Sequence, residues 1–284
     1  MEFEKMHGSG NDFILIDGFV NNKFVNSIDI ERRVKLLCDR HFGIGSDGLM
    51  FSEASEIADI KMNYFNSDGT IAELCGNGIR CFAKFVYDSG MINKRIFFIE
   101  TLAGIKRVSI NILKDKSDRV SVNIGKPIFE SEMIPVKTKK SQEKKIIEDN
   151  IFINGLKFKI YVLKVGGPHT VIFIDNINDV DIVSFGEKIE NHEIFPQKTN
   201  VNFVKINNKN RIELYTWERG SGRTLACGTG ACASVVVGFK KKLLDNKVSV
   251  YTNGGQLDVE IKDNENIYLT GGVHTVFKGV IDYY

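Results

Sequence analysis

The chain has 284 residues, 43% of them hydrophobic and 26% charged, a globular composition and not a disordered one. Its 38 lysines and arginines against 36 acidic residues leave a formal charge of +2, which excludes a polyelectrolyte built to hold nucleic acid or an anionic membrane surface. Five cysteines are too few at this length for a secreted disulfide scaffold, so a reducing cytoplasm is expected.

The start, Met1-Glu-Phe-Glu-Lys-Met-His7, carries acidic residues and no apolar run, so no signal peptide is expected. The spacing then predicts a helix over about 30–38. In Ile60-Lys-Met-Asn-Tyr64, period-two alternation puts Ile60, Met62 and Tyr64 on one face of a strand. A helix over 77–88 follows, largely apolar and relieved by Arg80 and Lys84, and then alternating strands at Arg107–Ile112 and Val120–Ile124. A helix over 181–191, strands at Ile212–Tyr215 and Leu257–Ile261, and between them a helix over 228–244 complete the pattern. Strands outweigh helices, which implies an α+β fold with antiparallel or mixed sheets. In the last helix, Ala231–Phe239 is small or apolar on every side. Such a helix must be wrapped, and a curved sheet around it would suffice. The uncharged stretch that holds it, 224–239, is shorter than the roughly 20 apolar residues a bilayer needs.

An internal repeat underlies these elements. Cys75-Gly-Asn-Gly recurs as Cys227-Gly-Thr-Gly at an offset of 152, with Asn66 and Glu218 each nine residues before its cysteine. Thr101-x-x-Gly104-x-x-x-Val108-x-Ile110 recurs at Thr252, and Phe13-Ile-Leu-Ile-Asp17 recurs at Val171. Two similar halves are therefore expected, 1–125 with 273–284 and 126–272. Their junction contains Lys126-Pro127, Pro135 and the charged run Lys137–Lys145, read as a solvated linker. Lys240-Lys-Lys242 reads as cations favoured by a helix C-terminus.

Gly43-Ile-Gly45-Ser-Asp-Gly48 matches a dinucleotide fingerprint by letter only. A helix precedes it and a strand follows, the reverse of what a phosphate cradle needs, so it reads as a loop. The two Cys-Gly-x-Gly elements are more informative. Each cysteine precedes a helix whose free N–H groups can hold a carboxylate and stabilise a thiolate, lowering its pKa from about 8.5. The glycines would let a ligand approach the backbone. Halves facing each other would bring two thiols to one cleft, which suits inversion at a carbon next to a carboxylate, a reaction needing an acid on one face and a base on the other. Zinc fits poorly, because the Cys-x5-Cys and Cys-x4-Cys spacings place the second cysteine inside an apolar helix. Cys38, Cys81 and Cys232 read as packed, inert thiols. Purely structural roles for Cys75 and Cys227 stay open on spacing alone.

The chain resembles the diaminopimelate epimerase family through Lys5-Met-His-Gly-Ser-Gly-Asn-Asp-Phe13, Arg40–Leu49, Tyr64–Gly69, Glu73-Leu-Cys-Gly-Asn-Gly-Ile-Arg-Cys81, Gly166-Gly-Pro-His169, Phe195-Pro196, Asn200-Val-Asn202, Trp217-Glu-Arg-Gly220 and Thr224–Cys232. The resemblance implies a fold of two similar halves, each a curved sheet around a central helix, and a cofactor-independent, metal-free epimerase with Cys75 and Cys227 as acid/base pair. It further implies that His169 and Glu218 assist proton transfer, and that Gly76, Asn77, Gly228 and Thr229 bind the reacting carboxylate through backbone amides. Asn11, Asn66, Asn200, Glu218 and Arg219 would hold other polar groups of the substrate, Arg219 being suited to a bidentate carboxylate contact. A cytoplasmic homodimer acting on a free amino acid, in lysine and peptidoglycan synthesis, is the corresponding expectation. Gly167 departs from the asparagine common in the family, and some members carry glutamine where Gly48 stands. The alternatives are a racemase of another amino acid on the same scaffold and a non-catalytic amino-acid-binding protein.

Overall fold

Parallel neighbours in a sheet cannot be joined by a tight turn and need a crossover, usually helical. The helices of nine or more residues occupy such crossovers. In the computed structural model, which describes residues 1–113, 116–137, 146–262 and 264–282, the chain forms two compact units, Met1–Asn123 with Thr270–Tyr284, and Ile124–Leu269. Most of the charged run 137–145 falls outside the described residues.

In the first unit seven strands run in the order His274–Val280, Glu2–Gly8, Asn11–Ile16, Gly48–Glu53, Ile60–Asn66, Ile96–Glu100 and Lys106–Leu113, the last also pairing with Lys116–Gly125. Successive pairs are antiparallel, antiparallel, parallel, antiparallel, parallel and antiparallel. In the second unit the order is Ile147–Ile153, Leu156–Val165, Gly167–Phe173, Asn200–Asn208, Arg211–Glu218, Lys247–Thr252 and Gly255–Ile261, with the same sequence of orientations. Helices Ile30–Cys38 and Ile182–Glu190 fill the first parallel crossover of each unit, and helices Gly76–Asp88 and Gly228–Lys240 the second. The repeat in the sequence is a repeat of topology. The fold is α+β, in two similar halves.

In each unit the strands are covered on both faces. Helix Gly76–Asp88 packs on strands Glu2–Gly8, Asn11–Ile16 and Lys106–Leu113, and helix Gly228–Lys240 on the equivalent strands of its own unit. On the other face, Ile14 and Ile16 join Val34 and Leu37 of helix Ile30–Cys38 in one cluster. Ile160, Ile172 and Phe203 join Ile182 and Ile189 in another. Phe13-Ile-Leu-Ile is continuously apolar for this reason, since both of its faces are buried.

Helix Gly228–Lys240 ends four residues earlier than the periodicity predicts. Lys242 turns left-handed (φ 60°), the Leu243 and Leu244 amides donate to the Gly238 carbonyl at 2.8 and 3.2 Å, and Leu244 folds back onto Gly238. The cations of 240–242 thus mark a terminus. In helix Gly76–Asp88, Arg80 and Lys84 do not provide a solvated stripe. Arg80 is fully buried, and Lys84 is 9% exposed and ion-paired with Asp88. The helix Asn22–Val25 was not expected, because four residues carry no periodicity. Among the described residues no helix is long and apolar enough to cross a membrane.

Candidate active site

Each central helix begins directly after a cysteine that stands at the N-cap position. Cys75 (φ −124°, ψ 124°) and Cys227 (φ −114°, ψ 112°) have extended backbones, and their carbonyls accept the first helical hydrogen bonds from Ile79 and Ala231, both at 2.9 Å. The last glycine of each Cys-Gly-x-Gly motif is a close-packing position. A Cβ on Gly78 would lie 2.1 Å from Met50 Cε, and one on Gly230 would lie 2.3 Å from Asn202 Oδ1. Met50 and Asn202 occupy equivalent strands. Gly78 and Gly230 therefore let the helix sit close to its sheet, which corrects the expectation that they admit a ligand.

In the first unit, Asn11 and Asn77 are brought together in a chain of side-chain hydrogen bonds. Arg80 Nη2 donates to Asn77 Oδ1 (2.9 Å), Asn77 Nδ2 to Asn11 Oδ1 (2.7 Å), and Asn11 Nδ2 to Asp47 Oδ2 (2.9 Å). A guanidinium only donates and a carboxylate only accepts, so the ends of the chain leave each amide one orientation. Arg40 and Lys5 anchor the far end through Asp12. Although burial opposes it, these two cations hold the Asp12 carboxyl well below the usual carboxylate range. Asp47 belongs to the Gly43–Gly48 loop, so that motif acts as a brace here. Asn66 lies at the last position of its strand, where its amide nitrogen donates to Thr70 Oγ1 at 3.0 Å and its backbone closes the turn at Gly69.

In the second unit, Glu218 ends strand Arg211–Glu218 as Asn66 ends Ile60–Asn66. The Cys227 Sγ is 3.5 Å from Thr229 Oγ1 and accepts from the Gly230 amide at 3.4 Å. Burial first, and then the charge of Glu218, push the Cys227 thiol well above its ordinary pKa, against the Thr229 and Gly230 contacts. This reverses the expected lowering for Cys227. The helix N-terminus does stabilise a thiolate, but removal from water and a neighbouring carboxylate outweigh it. At neutral pH, Cys227 is therefore a thiol.

His169 is fully buried beside Asn202, whose Nδ2 lies 3.1 Å from its Nδ1. An amide nitrogen only donates, so Nδ1 accepts and the ring carries its proton on Nε2. Nε2 meets no acceptor at full hydrogen-bond geometry among the described residues, and the backbone of Val165 lies close enough to favour the protonated ring. Burial, assisted by the Arg219 charge, pushes the His169 pKa down to about 3, so the ring stays neutral. Asn200 Nδ2 donates to the Pro168 carbonyl (2.9 Å), and its Oδ1 accepts from the Arg219 backbone amide (3.0 Å). The exposed Arg219 side chain donates from Nη1 to the Gln197 carbonyl at 3.2 Å. Gly167 has room for a side chain, since a Cβ there meets only Asn200 Nδ2, at 3.5 Å.

Sequence reasoning gave Arg80, Asp47 and Asn202 no role. Arg80 could have been found as the charge inside an otherwise apolar helix, and Asn202 as the polar residue within Val201–Val204. Asp47 had no signal beyond its loop. Cys81 and Cys38 are buried. Burial pushes the Cys81 pKa up to about 12 and raises that of Cys38, as suits unreactive core thiols.

A family model described as diaminopimelate epimerase matches residues 3–130 and 161–276. A diaminopimelate epimerase of Caldanaerobacter subterraneus subsp. tengcongensis is 45% identical over 282 residues, covering 99% of this chain and 100% of that protein. One from Methanococcus maripaludis is 44% identical over 283 residues, again 99% and 100%. Among solved structures, a probable proline racemase from Agrobacterium radiobacter superposes with a TM-score of 0.71 at 13% identity, covering 99% of this chain and 92% of that one. A hydroxyproline epimerase from Agrobacterium vitis has the same score and identity, over 98% and 90%. At such identity these two structures speak to the fold alone.

Proposed function

Because the chain belongs to the diaminopimelate epimerase family, we propose that it interconverts LL- and meso-diaminopimelate by moving a proton between the two faces of one α-carbon. The observation that carries this reading is the cysteine at the N-cap of each central helix, repeated in both halves. Inversion needs a group that removes the Cα proton from one face and a group that delivers a proton to the other. One cysteine, as thiolate, takes the Cα–H proton and becomes a thiol. The other, as thiol, protonates the carbanion from the opposite side and becomes a thiolate. Composition and charge are conserved, and no electron leaves the substrate.

The barrier is the negative charge that builds on the carboxylate as the proton departs. The amides of Gly76, Asn77, Gly228 and Thr229, at two helix N-termini, are placed in the sequence to receive it. Cys227 rests as a thiol and so starts as the acid. Glu218, the charge that raises its pKa, is the group to take up its proton when the direction reverses. His169, held neutral by burial, serves as a hydrogen-bond donor and not as a cation. Asn11, Asn66, Asn200 and Arg219 hold the amino and carboxylate groups away from the reacting carbon. Neither pyridoxal phosphate nor metal has a step in this scheme. The setting is a cytoplasmic pathway that supplies lysine and peptidoglycan precursors. A homodimer is included in the proposal, supported by the exposed Val276, Phe277 and Val280 on strand His274–Val280.

Racemisation of a different amino acid is the second reading, motivated by Gly167. The test is a panel of amino acids read by chiral chromatography with the reduced enzyme. Formation of meso- from LL-diaminopimelate in preference to the rest supports the proposal. Preference for another amino acid contradicts it, and if that preference is reversed by Gly167→Asn the second reading holds.

A further inference from the structure

The turn that carries Glu218 and Arg219 is held from beneath by a residue that the reaction scheme does not use. Glu190, the last residue of helix Ile182–Glu190, is 4% exposed. Its Oε2 accepts from Trp217 Nε1 at 2.7 Å, and its Oε1 accepts from the Gly220 amide at 3.0 Å. One buried carboxylate thus grips the residues immediately before and after Glu218-Arg219. A third contact comes from Lys198, whose Nζ lies 3.6 Å from Oε1. Lys198 follows Gln197, whose carbonyl receives the Arg219 guanidinium.

One helical turn earlier stands Gly186, where a Cβ would lie 2.7 Å from both Cβ and Cγ of Trp217. Positions four apart share a helix face. The glycine gives the indole a flat place to lie, and the carboxylate takes its N–H. A glycine and a buried acid in one short helix are both costly taken singly, since the first loosens the helix and the second surrenders hydration. Together they make a seat for one tryptophan. Burial works against ionisation of Glu190, yet the indole, the Gly220 amide and Lys198 hold its pKa below the ordinary value, so the seat is occupied by a carboxylate.

We infer that Glu190 is a positioning residue, which with Gly186 seats Trp217 and thereby aims Arg219 at a carboxylate of the substrate. The inference rests on the assignment of Arg219 to substrate binding made above. It explains why helix Ile182–Glu190, which contributes no group to the chemistry, ends on a buried acid.

Trp217 is the single tryptophan of the chain, so its fluorescence reports on the seat directly. The experiment uses the full-length enzyme with LL-diaminopimelate and compares wild type with Glu190→Ala, folding being checked by far-ultraviolet circular dichroism. The expected result is a displaced Trp217 emission maximum together with a KM raised about tenfold and a kcat within about threefold of wild type, the pattern of lost uniform binding. Glu190→Gln keeps one acceptor and should give an intermediate KM. Unchanged emission in Glu190→Ala overturns the seat, and displaced emission with a wild-type KM overturns the aiming of Arg219. If Glu190→Ala fails to fold, Gly186→Ala decides in its place, since it keeps the carboxylate and intrudes one methyl group on the indole. The same two changes are expected there, and the same two results overturn the inference. A wild-type enzyme without epimerase activity contradicts the proposed function, and the emission measurement still decides the seat.

Discussion

Cys227 and His169, both in the second half, are held away from their ordinary pKa values, and each has a measurable consequence. Removing the Glu218 charge by Glu218→Gln should move the thiolate absorbance titration of Cys227 to lower pH, because that charge is the second cause of its elevation, after burial. An unmoved titration would show that burial alone sets it. His169, pushed down to about 3, refuses a proton that the unfolded chain accepts at about 6.5. Its contribution to stability is therefore complete above the unfolded value and is lost as pH falls from there toward the folded one. Thermal unfolding from pH 7 to 4 should accordingly show a smaller loss of Tm in His169→Gln than in wild type; equal losses would contradict the neutral, buried assignment. The identities of Cys75, Cys227 and Arg219 as candidates were legible in the repeat and the family motifs. The protonation of Cys227 was not. It depends on how deeply the helix start is buried and on a carboxylate nine residues away in sequence, and the dipole argument contains neither.

At the scale of elements, the helix and strand positions followed from periodicity, and the exceptions have local causes. Helix Gly228–Lys240 stops early because Leu244 packs back on Gly238, a local fold-back that leaves no mark on the apolar pattern. The Cys-Gly-x-Gly glycines were legible as special, but their purpose as close-packing positions was not, because it lies in Met50 and Asn202 on neighbouring strands. This leads to an asymmetric prediction. In Gly78→Ala the intruding methyl meets the flexible end of Met50, which can move aside. In Gly230→Ala it meets Asn202 Oδ1, whose amide also holds His169. Overpacking costs about 1–3 kcal/mol. Denaturant unfolding should place Gly230→Ala toward the upper end and Gly78→Ala toward the lower, with activity falling mainly in the former. Equal costs with equal activities would contradict the account of Asn202.

The whole molecule is one topology used twice. Seven strands in each unit share the same order of parallel and antiparallel pairings, and both parallel crossovers of each unit carry a helix. This much was visible in the sequence because duplication preserved the residues that terminate strands and start helices, such as Asn66 with Cys75 and Glu218 with Cys227. What did not survive duplication as sequence similarity is the bracing. The first half uses Arg80 and Asp47 to orient Asn77 and Asn11, whereas the second uses Glu190 and Asn202 to hold Trp217 and His169. A duplicated scaffold with one helix N-cap thiol per copy suits a reaction that needs a proton-transfer group on each face of a carbon. The most direct test follows LL-diaminopimelate in deuterium oxide with reduced wild-type enzyme, Cys75→Ala and Cys227→Ala. The account predicts meso product carrying solvent deuterium at the inverted carbon with wild type, and no inverted product with either variant. Full epimerisation by either single variant would contradict it.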